Sequence, residues 1–398
     1  MRSSAGILAM TDRPPTNDMI YFDYNASAPV APECVDAVYE YLDRGYGNPS
    51  SKHGAGELAK RAVQEARAQV AGLLNAQPAE IVFTAGGTEG NHAGVLGALA
   101  LDPRKNHIVT TTVEHPSLLL LFAHLETRGV RVTYLEVDGD GHLDLQQLDD
   151  VITDSTALVS MMWANNETGV VFPVAEAARL AKAKGVLFHS DAVQAAGKLA
   201  LDVAAVPVDL LTLSGHKLHA PGGIGVLYMR KGLKLPPMLF GHQERGRRGG
   251  TENVSGIVAL GIAALFAGDG LRTEMPQVAA LRQRLEKGVF ERFPFASVNG
   301  AAAERIANTS NIRFGDLNGE AIVQKLDQAG VCVSQGAACS AGGTEPSHVL
   351  TSMGLTPAAA QASIRFSLGR YNAVEEVDRV LDILASIVAS GVADADAA

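Results

Sequence analysis

From residue 80 to residue 229, short β-branched runs alternate with helical stretches, and no other feature of the chain restricts its fold so tightly. IVFT (81–84) leads into GGTEGNHAGVLGALA, HIVTTTV (107–113) into PSLLLLFAHLETRG, and ALVSMMWA (157–164) into VAEAARLAKAKG. VLFHSDA and DLLTLSGHK then read as strands that end in polar residues. Strands that are apolar throughout must be covered on both faces, and strands joined by helical crossovers run parallel. The pattern predicts an α/β fold with a large domain built on a mainly parallel central sheet. A long helical stretch from Thr251 to about Phe293 then leaves that domain. Beyond residue 308 the order changes to NIRF, a helix at GEAIVQKLDQAG, VCVS, SIRFSL and a final helix from Val374, the signature of a smaller α+β domain. The expected division is a loose leader over 1–18, a large domain over 19–270 whose first segment crosses back onto the small one, and a small domain over 271–398. The closing ASGVADADAA should fray.

Bulk properties exclude several classes of function. With 47% hydrophobic and 19% charged residues in 398, the chain has the make-up of an ordinary globular enzyme. A net charge of -10 argues against a nucleic-acid or anionic-membrane binder, since such proteins gain from a positive field. The local basic group Arg245, Arg247 and Arg248 lies in a Gly-rich loop and suits carboxylates or a subunit contact. Three cysteines, Cys34, Cys332 and Cys339, are an odd number in a long chain, which speaks for a reducing compartment, by default the cytoplasm. No run approaches the roughly 20 uninterrupted apolar residues of a membrane span.

In an open sheet of this kind, ligands sit beyond the carboxyl ends of the strands. Those ends deliver His115, Asn165, Asn166, Asp191, Gln194, Ser214, His216 and Lys217. TAGGTEGN (84–91) is a Gly-rich turn opening a helix, whose free N–H groups and dipole suit an anion such as phosphate, although a plain helix start looks the same. Lys217, at a strand end among small residues in SGHKLHAPGG, suits a Schiff-base role. Taken alone it would be a solvated surface lysine. Asp191 ends a buried strand, where a bare carboxylate is costly and a pyridinium nitrogen would answer it, as would a structural turn cap. His115, before a proline-started helix, can lie over an aromatic ring or move protons, or simply cap the helix.

Read in order, YFDYNASAP, GNPSS, TAGGTEGN, VEHPS, WANNETG, HSDAVQ, SGHKLHAPGG, GHQERGRRGGTEN, AACSAGGTEPSHVL and SIRFSLGR resemble class V, fold type I pyridoxal-phosphate (PLP) enzymes, and specifically NifS-like cysteine desulfurases. The resemblance spans nearly the whole chain. It implies PLP carried by Lys217, which also shuttles the Cα proton, with Asp191 on the pyridinium nitrogen and Gln194 on the phenolic oxygen. His115 would stack on the ring and assist proton transfer. Gly87, Thr88, Ser214 and His216 would bind the phosphate, joined by Thr251 from a second subunit of a homodimer. Asn166 and Arg365 would clamp the carboxylate of L-cysteine, with Asn25 beside it. Cys339, in a stretch of small residues, would take the sulfur as a persulfide, leave L-alanine, and pass the sulfur to an iron–sulfur scaffold protein, in nitrogenase maturation or general cluster assembly. No fixed metal site is expected; Cys339 would meet a transferred cluster only in passing. Cys34 and Cys332 read as small buried hydrophobes. Selenocysteine lyases and aminotransferases share this fold without needing Cys339, and a non-catalytic sulfur-relay or scaffold-binding protein is the alternative of another class.

Overall fold

The computed structural model describes residues 19–335 and 345–391. The chain opens with strand β1 (Ile20–Tyr21) and two helices, Pro32–Asp43 and Gly54–Leu73. Seven strands follow: β2 (Ile81–Thr84), β3 (His107–Thr111), β4 (Arg131–Leu135), β5 (Thr156–Ser160), β6 (Leu187–Asp191), β7 (Leu210–Ser214) and β8 (Gly225–Met229). They form one sheet in the order β2-β8-β7-β6-β5-β3-β4. Every pairing is parallel except those of β8, which runs antiparallel to both β2 and β7.

Neighbouring residues along a strand point to opposite faces, so a strand buried on both sides must be apolar at consecutive positions. Ile108, Leu158, Leu210 and Leu227 pack on one face with Val95, Leu118 and Phe122 of the helices Gly87–Leu101 and Pro116–Glu126. Val109, Val159, Leu211 and Tyr228 pack on the other with Val70, Ala177, Ile257 and Ala263. Burying each such Leu, Ile or Phe contributes about 1.5–3 kcal/mol.

The predicted strands are present, with two additions. β4 is a half-exposed edge strand containing Arg131 and Thr133, too polar to be read as core. β8 returns as the second arm of a hairpin, so the segment 215–224 between β7 and β8 is a loop at the sheet's ligand-binding end. The helical stretch after Thr251 is two helices, Val254–Thr273 and Met275–Arg292, divided where Pro276 cannot supply an N–H to a continuous ladder. The first of these corrects the expectation about apolar length: it is long and apolar enough to cross a membrane by composition. Here Ile257, Leu260, Ala263 and Ala264 are buried in the core beside the helix Gly54–Leu73.

A second sheet, in the order β12-β13-β10-β9, is made by β9 (Ala296–Val298), β10 (Thr309–Phe314), β12 (Ser334–Gln335) and β13 (Ser363–Ser367). The short strand β11 (Val331–Cys332) pairs in parallel with β1. This part has its own core, in which Leu285, Phe314, Phe366 and Leu384 surround Phe22. Phe22 donates its N–H to Cys332 O at 2.9 Å and accepts from Ser367 N at 2.8 Å, which stitches the first segment of the chain into the second sheet.

Candidate active site

Between the strand ends of the first sheet and the face of β13 lies a cavity of about 360 Å³, within the range of small-molecule sites. Gly87, Thr88, His115, Asn166, Asp191 and Gln194 line it, as do Ser214, His216, Lys217, Asn25 and Arg365. One predicted residue among those described is not in it. Thr251 is exposed and lines a separate groove of about 150 Å³ beside Phe83 and Gly223, so a single chain does not bring it to the cavity. Cys339 lies outside the described residues.

Asp191 ends β6 and is 6% exposed. Its Oδ2 accepts from Asn91 Nδ2 at 2.7 Å and its Oδ1 from Val193 N at 3.0 Å. The two bonds fix the orientation of the carboxylate. Asn91, on the helix Gly87–Leu101, also donates to Ser117 Oγ at 3.1 Å, and no feature of the sequence marked it. His115 caps the helix Pro116–Glu126 by accepting Ser117 N at its Nδ1, 3.1 Å away, which leaves the ring proton on Nε2. Burial pushes the imidazole below its ordinary value; Asp191 pulls it up, and Lys217 and His348 push it down further. His115 is therefore a neutral donor at pH 7.

At the other end, the helix Gly87–Leu101 begins at Gly86 with no side-chain cap, leaving its first amides for an anion. A Cβ added to Gly87 would stand 3.1 Å from Val193 Cγ2 and 3.5 Å from Ser214 Cβ, so glycine keeps this corner open. His216, 3.4 Å from Ser27 Oγ, is pushed down to about 4 by burial and then by Lys217 and His115. It too stays neutral.

Lys217 stands in a single turn after β7, and its Nζ donates to the carbonyls of Asn25 and Ala26. Asn25 belongs to the first segment and is 2% exposed; its Nδ2 donates to Asn166 O and Thr309 Oγ1. Arg365 reaches in from β13. Its Nη2 donates to Asp23 Oδ1 at 2.7 Å and its Nη1 to Asn166 O at 3.1 Å, while its buried Nε has no partner. Arg365 lines the cavity, where a guanidinium suits an anionic oxygen. No feature of the sequence marks Asp23; its role is visible only once the segment after β1 is seen bridged to Ser367 of β13.

Two buried carboxyl groups shape the rear wall. Glu114 Oε1 accepts from Thr111 Oγ1 at 2.7 Å and Met162 N at 2.9 Å, and burial pushes it up to about 8. Glu167, in the NNETG turn held by Asn165, accepts from Ser347 Oγ and is pushed up to about 7 by burial. His348 Nε2 donates to Glu114 O at 3.0 Å, so both anchor the helix His348–Ser352. Of the other cysteines, Cys34 is buried and donates to Ala259 O at 3.2 Å. Cys332 is only partly buried, on an edge pairing with two ladder positions.

The donor set fits pyridoxal phosphate. A held carboxylate faces one side, an uncapped helix start and Ser214 another, an amine stands between them, and a neutral imidazole lies at the wall.

The aminotransferase class-V family matches residues 20–380 of the chain. A cysteine desulfurase of Trichormus azollae is 50% identical over 371 residues, 93% of each chain. Among solved structures, a NifS-like protein superposes with a TM-score of 0.88 at 34% identity, covering 94% of this chain and 100% of its own. A structure titled SspA in complex with cysteine superposes with a TM-score of 0.79 at 34% identity, covering 89% of this chain and 100% of its own.

Proposed function

The chain belongs to the aminotransferase class-V family as a NifS-like cysteine desulfurase, and from that premise we propose which of its residues carry the reaction. The observation that supports the assignment is the meeting in one cavity of Lys217, a doubly held Asp191, a neutral His115 and an Arg365 held by Asp23. L-cysteine enters and L-alanine leaves. Bound PLP would supply an electron sink that draws off the electron pair of the substrate's Cα–H bond.

Gly87, Thr88, Ser214 and His216 would hold the phosphate, with Thr251 reaching in from a second copy of the chain. Asp191 would keep a proton on the ring nitrogen, its carboxylate oriented by Asn91 and Val193 N, and Gln194 would donate to the phenolic oxygen. Lys217 would hold the coenzyme and, displaced by the substrate amine, take the Cα proton. The neutral Nε2–H of His115 would assist in moving a proton during the exchange. Arg365, with Asn166 and Asn25, would take the substrate carboxylate, its guanidinium held by Asp23.

The Cys339 thiolate would then attack the substrate sulfur. One S–S bond forms, the Cβ–S bond breaks with its electron pair remaining on the carbon side, and a proton completes the methyl group of alanine. Cys339 is left as a persulfide. We extend the proposal to a homodimer, which the large apolar side chains left exposed at Tyr39, Leu42, Tyr46, Leu58 and Phe240 support. A sulfur acceptor of the iron–sulfur scaffold class, serving cluster assembly or nitrogen fixation in the cytoplasm, completes the reading.

The test is intact-mass and peptide analysis after a brief incubation with L-cysteine and no added thiol. One extra sulfur on the peptide containing Cys339, with alanine formed, is the expected result. Sulfur found instead on Cys34 or Cys332, or alanine production unchanged in Cys339→Ser, would overturn the assignment of Cys339.

A further inference from the structure

Behind the cavity wall, Lys198 places an amine among amide oxygens. Its Nζ donates to Gln194 Oε1 at 2.6 Å and to Asn25 Oδ1 at 3.1 Å. Neither acceptor is charged. Lys198 does not line the main cavity; it borders a small void of about 50 Å³ on the far side of Lys217. A lysine sunk beside another lysine and an arginine is a costly choice of hydrogen-bond donor. Something must offset that cost.

The orientation of Gln194 supplies the answer. A glutamine amide has an accepting oxygen and a donating nitrogen, and only its partners decide which end faces where. Lys198 demands the oxygen on one side. Asn25 O, 3.0 Å from Gln194 Nε2, demands the nitrogen on the other. One hydrogen of Nε2 goes to that carbonyl, and the second remains for the cavity that Gln194 lines. The same amine fixes Asn25, whose Oδ1 is shared between Lys198 and Asn308 Nδ2 at 3.0 Å, so that both amides beside Lys217 are locked by one residue.

We propose that Lys198 is a positioning residue that acts through Gln194, turning its N–H toward the phenolic oxygen of the bound coenzyme. The inference rests on the PLP desulfurase reading above. Burial, then Lys217 and Arg365, push the Lys198 amine well below the ordinary lysine range. A neutral amine still has two hydrogens for its two oxygens, so the arrangement does not depend on its charge.

The consequence is spectroscopic. An N–H donated to the phenolic oxygen competes with the proton on the adjoining lysine–coenzyme link, and so favours the unprotonated link. Without a fixed donor the link should hold its proton to higher pH. The experiment is a pH titration of the coenzyme absorption band in wild-type holoenzyme, Lys198→Met, Gln194→Ala and the double variant. Lys198→Met should raise the midpoint by about one pH unit, a tenfold change in proton affinity. In the Gln194→Ala background the same substitution should add little, because a residue that acts through another is silent once that partner is gone. If Lys198→Met does not fold, Lys198→Gln serves, since its own amide no longer dictates which end of Gln194 turns inward. An unmoved midpoint in the folded variants, or a shift that persists undiminished without Gln194, would overturn the proposal. A wild-type protein that takes up no PLP would instead sink the reading beneath it.

Discussion

A carboxylate at the end of a buried strand is tolerable only if its oxygens are met, and Asp191 meets that condition through Asn91 and the Val193 amide. Losing a hydrogen bond to a charged group costs about 1.5–3 kcal/mol. Asn91→Ala should therefore loosen Asp191 and weaken PLP retention by about ten- to a hundredfold, read by fluorescence titration of the apoprotein; an unchanged affinity would show that Asp191 needs no such support. The residues legible in the sequence share one property: Lys217, Asp191, His115 and Asn166 are polar groups at the ends of apolar runs, out of place unless a ligand explains them. Asn91, Asp23 and Lys198 sit where a helix or loop residue is ordinarily polar. Asp191 and Arg365 meet Asn91 and Asp23 from elements far along the chain, and Lys198 meets Gln194 from behind the wall, so only the fold reveals these pairings.

At the scale of elements, the parallel strands were readable because burial on both faces forces consecutive apolar residues, as in ALVS and LLTL. The direction of β8 was not, since GVLYM reads as a core strand whichever way it runs. The helix Gly54–Leu73 hides its buried stripe in Ala59, Val63, Ala66 and Val70, small side chains with little contrast. That helix also supplies Arg67, which clamps the loop leading to Thr251. Arg67 donates to both oxygens of Glu244 at 2.7 and 2.6 Å, and Glu244 also accepts from Phe83 N at 3.0 Å. Glu244 and Arg245 have φ of 48° and 60°, a left-handed conformation that needs holding. Removing one partner of a buried pair strands the other charge, so Arg67→Met should cost about 3–5 kcal/mol in chemical denaturation. A loss below about 1 kcal/mol, the worth of an exposed pair, would mean the clamp is not buried in solution.

For the whole molecule, buried titrating groups set how stability varies with pH. His107, His189 and His219 are each held down to about 4 by burial, against 6.5 for free imidazole. The unfolded chain then binds more protons than the native one below pH 6.5, and their contribution is lost as pH falls from there toward 4. Glu114 and Glu167, raised to about 8 and about 7 from 4.5, behave oppositely, and their contribution is lost as pH rises through that range. Thermal unfolding should show the highest Tm near pH 6.5, with the alkaline decline softened in Glu114→Gln; a decline identical in that variant would mean Glu114 is ionised in the native state. The stitching of the first segment into the second sheet brings Lys217 and Arg365 to opposite sides of one cavity. The central claim is that this cavity exists to hold a coenzyme on one amine. It is tested most directly by borohydride reduction of protein loaded with PLP, followed by peptide mapping. A stable pyridoxyl group on Lys217, absent in Lys217→Ala, is the result expected; a label on another lysine, or none at all, would contradict the account.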